Sequence, residues 1–365
     1  MPNADAYLHD AFAAFELGAP VAGSKRFGQG HINDTYLVET QASRRFIFQR
    51  ISPVAFKRPD QLMENVVGIT EYLSRELEKT GGDARRGTLR FLRTREGGYY
   101  YTDPDGGAWR AYPFVEGTVC YETAETPELF AASGRAFGRF QRLLQGYPAQ
   151  TLYETIPRFH DTEDRLAKLK AAAEADPLGR KAGCQAEISF ILAREADCSV
   201  ALQALREGRL PLRVTHNDTK LNNVLMDEKT GEGVCIVDLD TVMPGLSIND
   251  FGDSIRFGAN HCAEDDRDLS KVSLDLQLFA LYTQAFLEGA GGTLTDEEIA
   301  YLPWGAKLMT LECGMRFLTD HLEGDVYFHT SRAGQNLDRC RTQCKLVADM
   351  EAHWDEMKSI VEKYR

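Results

Sequence analysis

The chain has 365 residues, of which 43% are hydrophobic and 27% are charged, so its composition is that of a folded globular protein and not of a disordered or fibrous one. A chain of this length allows about two domains or lobes. The net charge of −13 at pH 7 disfavours nucleic acids and anionic membrane surfaces as partners, because both would be repelled.

Cysteine usage and the apolar segments predict a cytoplasmic protein. The eight cysteines form no CxxC pair, which disfavours a structural zinc site. The first 15 residues have the pattern of an amphipathic helix and no arginine or lysine precedes Lys25, so we expect no secretory signal and reduced thiols. No apolar stretch approaches the length of about 18 residues that a membrane span requires.

The first third of the chain has the pattern of a small sheet with one helix. Residues 35–40 (TYLVET) and 44–51 (RRFIFQRI) predict a β-hairpin. A helix is predicted from near Asp60 to the Gly81–Gly82 pair. Residues 88–94 and 97–103 are two further strand candidates.

The second part of the chain is predicted to be mainly helical. Residues 133–145, 162–176 and 186–197 all show helical spacing of apolar residues. The change of character falls at Tyr112–Gly117, which we interpret as a linker. We therefore predict an α+β fold of two lobes, with a nucleotide-binding N-lobe at residues 1–115 and a catalytic, acceptor-binding C-lobe at residues 116–365.

Chemistry is concentrated in residues 210–245. A short strand leads to Asp218, Asn223 follows five residues later and opens a hairpin, and Asp238 ends the returning strand. This layout predicts that two carboxylates and one amide lie close together. Such a cluster suits phosphoryl transfer from ATP, because Asp218 can accept a proton from a hydroxyl while Asn223 and Asp238 offer the oxygen ligands that Mg²⁺ prefers. Taken singly, an Asp or Asn in a loop is more often a turn former.

Two motifs in this region resemble those of a known family. HNDTKLNN at 216–223 and IVDLD at 236–240 are similar to the H-x-D-x-x-x-x-N and I-D-x-[DE] signatures of the aminoglycoside phosphotransferase and choline kinase-like superfamily, a branch of the protein-kinase-like fold. Six segments, in the same order, resemble the N-acetylhexosamine 1-kinases within that superfamily: residues 30–38, 106–116, 212–227, 238–245, 250–259 and 312–318.

The resemblance implies a protein-kinase-like fold, a function and a set of site residues. The function is ATP-dependent phosphorylation of the anomeric hydroxyl of N-acetylglucosamine or N-acetylgalactosamine, with Mg²⁺. Asp218 is implied as catalytic base, with Asn223 and Asp238 as metal ligands. The implied nucleotide-binding residues are Gly28, Gly30, His31, Asn33, Thr35 and Gln49, with the backbone near Pro113 and Val115. The implied sugar-binding residues are Asp218, Thr241, Arg316 and Tyr327.

The third strand departs from the superfamily pattern. Where the superfamily has a lysine that reaches the phosphates, this chain has Gln49 followed by Arg50. Successive side chains on a strand point to opposite faces, so only one of the two faces ATP. If Gln49 does, the usual lysine–glutamate pair is absent, and neither Glu64 nor Glu71 has an assigned partner.

Several of these residues have structural interpretations that the sequence leaves open. Arg316 is as compatible with an ordinary helix arginine as with a sugar ligand, and Tyr327 with core packing. Asp240 is a support or an additional metal ligand. Asp250, which opens a D-F-G string, is not expected to bind a metal, and either it or Asp253 is expected to bond the backbone of the catalytic loop or His216.

Two rival functions also remain at this level. One is a related kinase for another sugar, an amino alcohol or an aminoglycoside, and the other is a nucleotide-binding regulator that has lost catalysis. The sequence does not predict the oligomeric state.

Overall fold

A computed structural model describes residues 4–28 and 33–365. Its order of elements confirms the predicted α+β architecture, a small antiparallel sheet followed by a larger, mainly helical region. No helix in the described part of the chain is long and apolar enough to cross a membrane.

The N-terminal sheet has five antiparallel strands in the order β1-β2-β3-β5-β4. Their bounds are Val21–Arg26 (β1), Asp34–Thr40 (β2), Arg45–Ile51 (β3), Tyr101–Thr102 (β4) and Ala108–Pro113 (β5). Alternate side chains serve two different cores. Phe46 and Phe48 pack towards the N-terminal helix, whereas Ile47 and Ile51 pack with the long helix that follows β3.

The predicted hairpin and the predicted long helix are both confirmed, as β2–β3 and as a helix over Pro59–Lys79. The predicted strand at 88–94 is wrong, and only Tyr101–Thr102 of the 97–103 segment forms a strand. Leu89 and Leu92 of this extended segment pack into two different cores. Its side chains therefore alternate between two faces as in a strand, although its backbone forms no continuous hydrogen-bond ladder with a neighbouring strand.

The helices support the sheet and build the rest of the molecule. Those before β5 are α1 (Leu8–Ala14), α2 (Pro59–Lys79) and the one-turn α3 (Ala84–Gly87). Those after it are α4 (Pro127–Leu143), α5 (Thr162–Ala175), α6 (Gln185–Leu192), α7 (Val200–Arg206), α8 (Ser247–Gly258), α9 (Leu276–Ala290), α10 (Asp296–Ala300), α11 (Leu302–Glu323), α12 (Gln335–Ala352) and α13 (Trp354–Tyr364). The three helices predicted after the linker are confirmed as α4, α5 and α6.

Five short strands position the loops within residues 210–245. They are β6 (Thr118–Val119), β7 (Arg213–Thr215), β8 (Val224–Asp227), β9 (Gly233–Ile236) and β10 (Met243–Gly245). Strands β8 and β9 form the predicted hairpin, and β10 pairs with β7, with Thr215 opposite Met243. The loop after β7 and the turn after β9 therefore lie side by side.

Glycines allow α8 to pack directly on α11. A Cβ atom on Gly252 would overlap the backbone carbonyl of Gly305, and one on Gly305 would overlap the carbonyl of Ile248. Such contact between backbones leaves little room for α8 to move. Helix α8 in turn supports the loop that follows β7.

Candidate active site

The backbone of the loop at residues 216–223 is held by one buried carboxylate on α8. The N–H groups of His216 and Asn217 donate to the two oxygens of Asp250 at 2.9 and 2.8 Å, and Gln141 Nε2 donates to the same carboxylate at 2.7 Å. Burial raises the pKa of Asp250, while these three donors stabilise its anion. Asp250 is thus a structural anchor, as predicted for the D-F-G string.

A second carboxylate on α8 extends this support. Asp253 accepts a hydrogen bond from Thr219 N at 3.0 Å and pairs with Arg256, while Thr219 Oγ1 donates to the carbonyl of Asp250. Both side chains of the pair are buried. The loop at residues 216–223 is therefore bonded to α8 through the backbone N–H groups of His216, Asn217 and Thr219.

The same loop is bonded to the turn after β9. Asn217 adopts a φ of 66°, a left-handed conformation that asparagine tolerates, and its Nδ2 donates to the carbonyl of Thr241 at 2.8 Å. His216 is fully buried, and its Nε2 lies 2.9 Å from the carbonyl of Val237. It is a packed, hydrogen-bonded anchor of the loop.

Asp218 lies at the centre of the loop with two polar neighbours. Asn223 Nδ2 donates to the Asp218 carbonyl at 2.7 Å and to its carboxylate at 3.2 Å, which turns the amide oxygen of Asn223 away from Asp218. Lys220 Nζ lies 2.8 Å from the other carboxylate oxygen. The sequence interpretation missed Lys220, although its place two residues after Asp218 was available as a signal.

Asp238 lies in the neighbouring turn, with a φ of 56°. The residue is exposed to solvent. Desolvation by the surrounding protein atoms, together with the negative charges of Asp240 and Asp218, nevertheless raises the pKa of this carboxyl to about 6. Repulsion from the neighbouring Asp240 and Asp218 carboxylates disfavours the Asp238 anion, and a bound cation would relieve this repulsion.

The donor set of this cluster fits a hard divalent ion. Asp238 offers carboxylate oxygens and Asn223 an amide oxygen, a combination suited to Mg²⁺ that also binds phosphates and water. Among residues 4–28 and 33–365, no group of three or more His, Cys, Asp or Glu side chains is placed to hold a metal by itself. Asp238 and Asn223 would therefore supply only part of the coordination shell of such an ion.

On the nucleotide side, the structure places Gln49 and Arg50 on opposite faces of the sheet. Gln49 donates to Thr35 Oγ1 at 3.1 Å and accepts from Arg110 Nε at 3.0 Å. Arg50 is buried against Asp103, with Nε 2.7 Å from the carboxylate. Gln49 therefore lies on the side of the sheet that faces Asp240 and the turn after β9, and Arg50 lies on the opposite side.

The other residues predicted at the nucleotide lie near β1, β2 and the end of β5, except for two that the structure does not describe. Gly28 has a φ of 76°, and Asn33 Nδ2 donates to Asp240 at 2.6 Å. Gly30 and His31 lie outside the described residues. Pro113 ends β5, and the carbonyl of Val115 accepts a hydrogen bond from Thr118 Oγ1.

Neither glutamate considered for the usual ion pair has that arrangement here. Glu64 and Glu71 are both exposed, and Glu71 accepts a hydrogen bond from Tyr99 Oη at 2.8 Å.

The residues predicted at the acceptor form two groups. Thr241 Oγ1 donates to the His216 carbonyl at 2.7 Å, next to Asp218. Arg316 lies over the rings of Phe159, Phe328 and Tyr327, with its guanidinium carbon 5.2, 5.3 and 5.8 Å from the ring centres. The Tyr327 side chain is 68% exposed and has no hydrogen bond to the described part of the catalytic loop.

Two residues that the sequence interpretation missed, His160 and the buried Glu312, connect these groups. His160 Nδ1 lies 3.0 Å from Glu312 Oε1, and its Nε2 lies 3.1 Å from the carbonyl of Asn217. Burial lowers the pKa of His160, but the Glu312 carboxylate outweighs burial and raises it overall. Since Glu312 precedes Arg316 by one helical turn on α11, this contact ties the aromatic group to the loop of Asp218.

A separate cavity of about 480 Å³ lies beside these groups. It is lined by residues that include Thr219, Leu221 and Arg256, but not by Asp218, Asn223 or Asp238. The cavity borders the loop at residues 216–223 and does not include the carboxylate cluster.

A model of the phosphotransferase enzyme family (APH) matches residues 24–283. The chain belongs to this phosphotransferase enzyme family. It is thus an enzyme that transfers a phosphoryl group to an alcohol group of a small molecule, and its cofactors are ATP and Mg²⁺, as predicted.

Solved structures of other proteins share the fold of this phosphotransferase. An aminoglycoside phosphotransferase from Alicyclobacillus acidocaldarius is 13% identical with a TM-score of 0.62, over 97% of this chain and 96% of that one. An amicoumacin kinase in complex with AMP-PNP, Ca²⁺ and Ami is 16% identical with a TM-score of 0.61, over 94% and 93%. A Plasmodium vivax ethanolamine kinase is 13% identical with a TM-score of 0.52, over 88% and 82%.

Proposed function

We propose that this phosphotransferase transfers the γ-phosphoryl group of ATP to the anomeric hydroxyl of N-acetylglucosamine or N-acetylgalactosamine. The observation that carries the proposal is the position of Arg316 among Phe159, Tyr327 and Phe328, connected through Glu312 to the loop of Asp218. Sugars present hydroxyl groups and an apolar ring face, which a planar guanidinium and aromatic rings suit. The six segments that resemble the N-acetylhexosamine 1-kinases support the same acceptor.

In the proposed mechanism, Asp218 orients the acceptor hydroxyl and takes its proton as the bond to phosphorus forms. Asn223 and Asp238 hold Mg²⁺, which when bound neutralises part of the charge of the phosphates. Lys220 keeps a fixed positive charge beside Asp218. Thr241 and Arg316 contact the sugar, and Tyr327 closes over it from its exposed position.

The two lobes divide these tasks in the proposal. Residues 1–115 bind the nucleotide, and residues 116–365 carry catalysis and acceptor binding. The proposed nucleotide-binding residues are Gly28, Gly30, His31, Asn33, Thr35 and Gln49, with the backbone near Pro113 and Val115. All eight cysteines are free, which supports the reducing environment of the cytoplasm.

A second candidate acceptor is an amino alcohol or an aminoglycoside. Glu312 is buried, and its Oε2 atom has no hydrogen-bond partner among the described residues. A buried carboxylate oxygen of this kind would pair well with an ammonium group. Kinases for aminopropanol and ethanolamine are among the proteins that share the fold. A regulator without catalysis is disfavoured because Asp218, Asn223 and Asp238 are all present.

An acceptor panel with coupled detection of ADP tests the proposal. The panel contains the two N-acetylhexosamines, glucose, galactose, ethanolamine, aminopropanol and an aminoglycoside, each with ATP and Mg²⁺. We expect the highest kcat/KM with an N-acetylhexosamine and a product that has lost its reducing end, which marks the anomeric position. Turnover of an amine acceptor alone, or a product that keeps its reducing end, would overturn the proposal.

A further inference from the structure

The side of the N-terminal sheet that faces the turn after β9 contains a row of three polar residues, one of them buried. Thr35, Gln49 and Arg110 lie directly opposite one another on β2, β3 and β5. They are joined by two hydrogen bonds, from Gln49 to Thr35 and from Arg110 to Gln49. Arg110 is the charged member of this row, and it is only 2% exposed.

The guanidinium of Arg110 crosses the cleft to the turn that follows β9. Its Nη1 atom lies 2.5 Å from Oδ1 of Asp240, a close ion contact whose angles are not those of a hydrogen bond. Asn33 Nδ2 donates to the other oxygen of Asp240 at 2.6 Å, and Asn33 Oδ1 accepts from Ser52 N. Both oxygens of one carboxylate are thus engaged by the N-terminal sheet and its loops.

Asp240 is two residues from Asp238, within the single helical turn Leu239–Thr241. The carbonyl of Asp240 accepts from Thr155 Oγ1, and that of Thr241 from Asn217 Nδ2. The turn is therefore fixed to the C-terminal part by its backbone and to the sheet by the side chain of Asp240. Asp240 is therefore the residue through which the sheet and its loops contact the turn next to Asp238.

We propose that the Arg110–Asp240 ion pair is a positioning device that holds the turn of Asp238 against the nucleotide-binding sheet. The ion pair connects the sheet to the turn of Asp238. The residue at the centre of the row, on β3, is the neutral Gln49, so the positive charge of the row comes from Arg110 on β5. Asp240 then acts as a support and not as an additional metal ligand, since Arg110 and Asn33 engage its two oxygens. The proposal holds for any acceptor and does not depend on the sugar.

Single and double variants of Arg110 and Asp240 distinguish an ion pair that positions the turn from one that only balances charge. Arg110→Gln removes a positive charge, Asp240→Asn removes a negative charge, and the double variant restores the charge balance without the ion pair. If the pair positions the turn, the double variant stays impaired and is no worse than Arg110→Gln alone. If only net charge matters, the double variant recovers.

The sheet offers a matched control on its opposite face. Arg50 is 4% exposed and pairs with the buried Asp103, so Arg50→Gln breaks a comparable ion pair one residue from Gln49 without touching the catalytic turn. Thermal unfolding of both variants measures what each pair contributes to the fold. The control separates loss of stability from loss of position.

The readouts are kcat/KM for ATP at saturating Mg²⁺ and amide hydrogen exchange at residues 238–242 in the free protein. We expect Arg110→Gln, Asp240→Asn and the double variant each to lose about 10- to 100-fold in kcat/KM, the range typical of groups that orient metal ligands. Exchange at residues 238–242 should be faster in all three and unchanged in Arg50→Gln. Arg110→Lys keeps the positive charge on a shorter side chain, and its kcat/KM should lie between those of Arg110→Gln and the unmodified protein. If Arg110→Gln does not fold, Arg110→Lys takes its place in the test.

Three results would overturn the proposal. The first is a kcat/KM of Arg110→Gln within about threefold of that of the unmodified protein. The second is a loss of kcat/KM in Arg50→Gln equal to that in Arg110→Gln. The third is recovery of kcat/KM in the double variant.

Discussion

The ammonium nitrogen of Lys220 lies 2.8 Å from Oδ1 of Asp218, the carboxylate that we propose as the catalytic base. Burial lowers the pKa of Lys220, but the Asp218 carboxylate outweighs burial and raises it overall. The lysine therefore remains protonated at neutral pH. A fixed cation at this point stabilises negative charge that develops on the transferred group and its acceptor oxygen.

We predict that Lys220→Met lowers kcat by about 100-fold, the effect of removing one fixed donor from a charge-stabilising site. KM for ATP should change little, because the site that we propose for the nucleotide does not include Lys220. Steady-state release of ADP measures both constants. Lys220→Arg keeps the charge and serves as the control, with a smaller loss expected. An unchanged kcat in Lys220→Met would remove the lysine from the mechanism.

Asp218→Asn should keep nucleotide binding and lose at least about 100-fold in turnover, because the amide cannot take the proton of the acceptor. The backbone N–H bonds that tie the loop to α8 go to Asp250 and Asp253 and not to Asp218, so the loop should keep its shape. Binding of a fluorescent ATP analogue and release of ADP are the two measurements. Asp355→Asn, at a carboxylate with 93% of its side chain exposed, is the control. Turnover close to that of the unmodified protein would contradict the proposed base.

Arg316→Met should raise KM for the acceptor by about tenfold and leave KM for ATP unchanged, because Arg316 lies in the aromatic group and not near the nucleotide-binding sheet. Tyr327→Phe keeps the ring beside Arg316 and should have a smaller effect. The two KM values, measured with the best acceptor of the panel, check this prediction. A rise in KM for ATP alone would place Arg316 outside the acceptor site.

Local pattern in the sequence predicted the elements that carry the site. The β2–β3 hairpin, helix α2 and the β8–β9 hairpin follow from the alternation or helical spacing of their own residues. The structural role of Asp250 was also predictable, because Asp238 already occupied the position after the hairpin. The strand predicted at 88–94 failed because alternation reports which side chains are buried and does not report whether the backbone has a partner strand.

Contacts between distant residues could not be predicted. Arg110 and Asp240 are far apart in the sequence, and either one alone has the pattern of an ordinary strand or turn residue. His160 and Glu312 likewise meet only because α11 packs beside the segment that precedes α5. Strand alternation established that Gln49 and Arg50 face opposite sides, and only the partners on each side, Arg110 and Asp103, decided which one faces the cleft.

Stability at acid pH should depend on a buried carboxylate behind the catalytic loop. Glu298 accepts two hydrogen bonds from Arg213, at the start of β7, and others from Thr295 N and Ser247 Oγ. Burial raises the pKa of Glu298, but Arg213 and the other donors outweigh burial and lower it below the ordinary value of 4.5. A carboxylate with a lowered pKa stabilises the fold above its unfolded pKa, and this contribution is lost as the pH falls through its folded pKa.

Glu298→Gln should therefore lower the free energy of unfolding at pH 7 by about 3–5 kcal/mol, since it leaves Arg213 without its buried partner. Below pH 4.5 the unmodified protein should lose the contribution of Glu298, so the difference between the two proteins should shrink there. Denaturant unfolding at pH 7, and at several values below pH 4.5, measures the difference. Glu297→Gln, at the half-exposed neighbouring residue, should stay close to the unmodified protein at every pH. A difference that stays constant down to the acid limit of folding would show that Glu298 stabilises the protein through its shape and not through its charge.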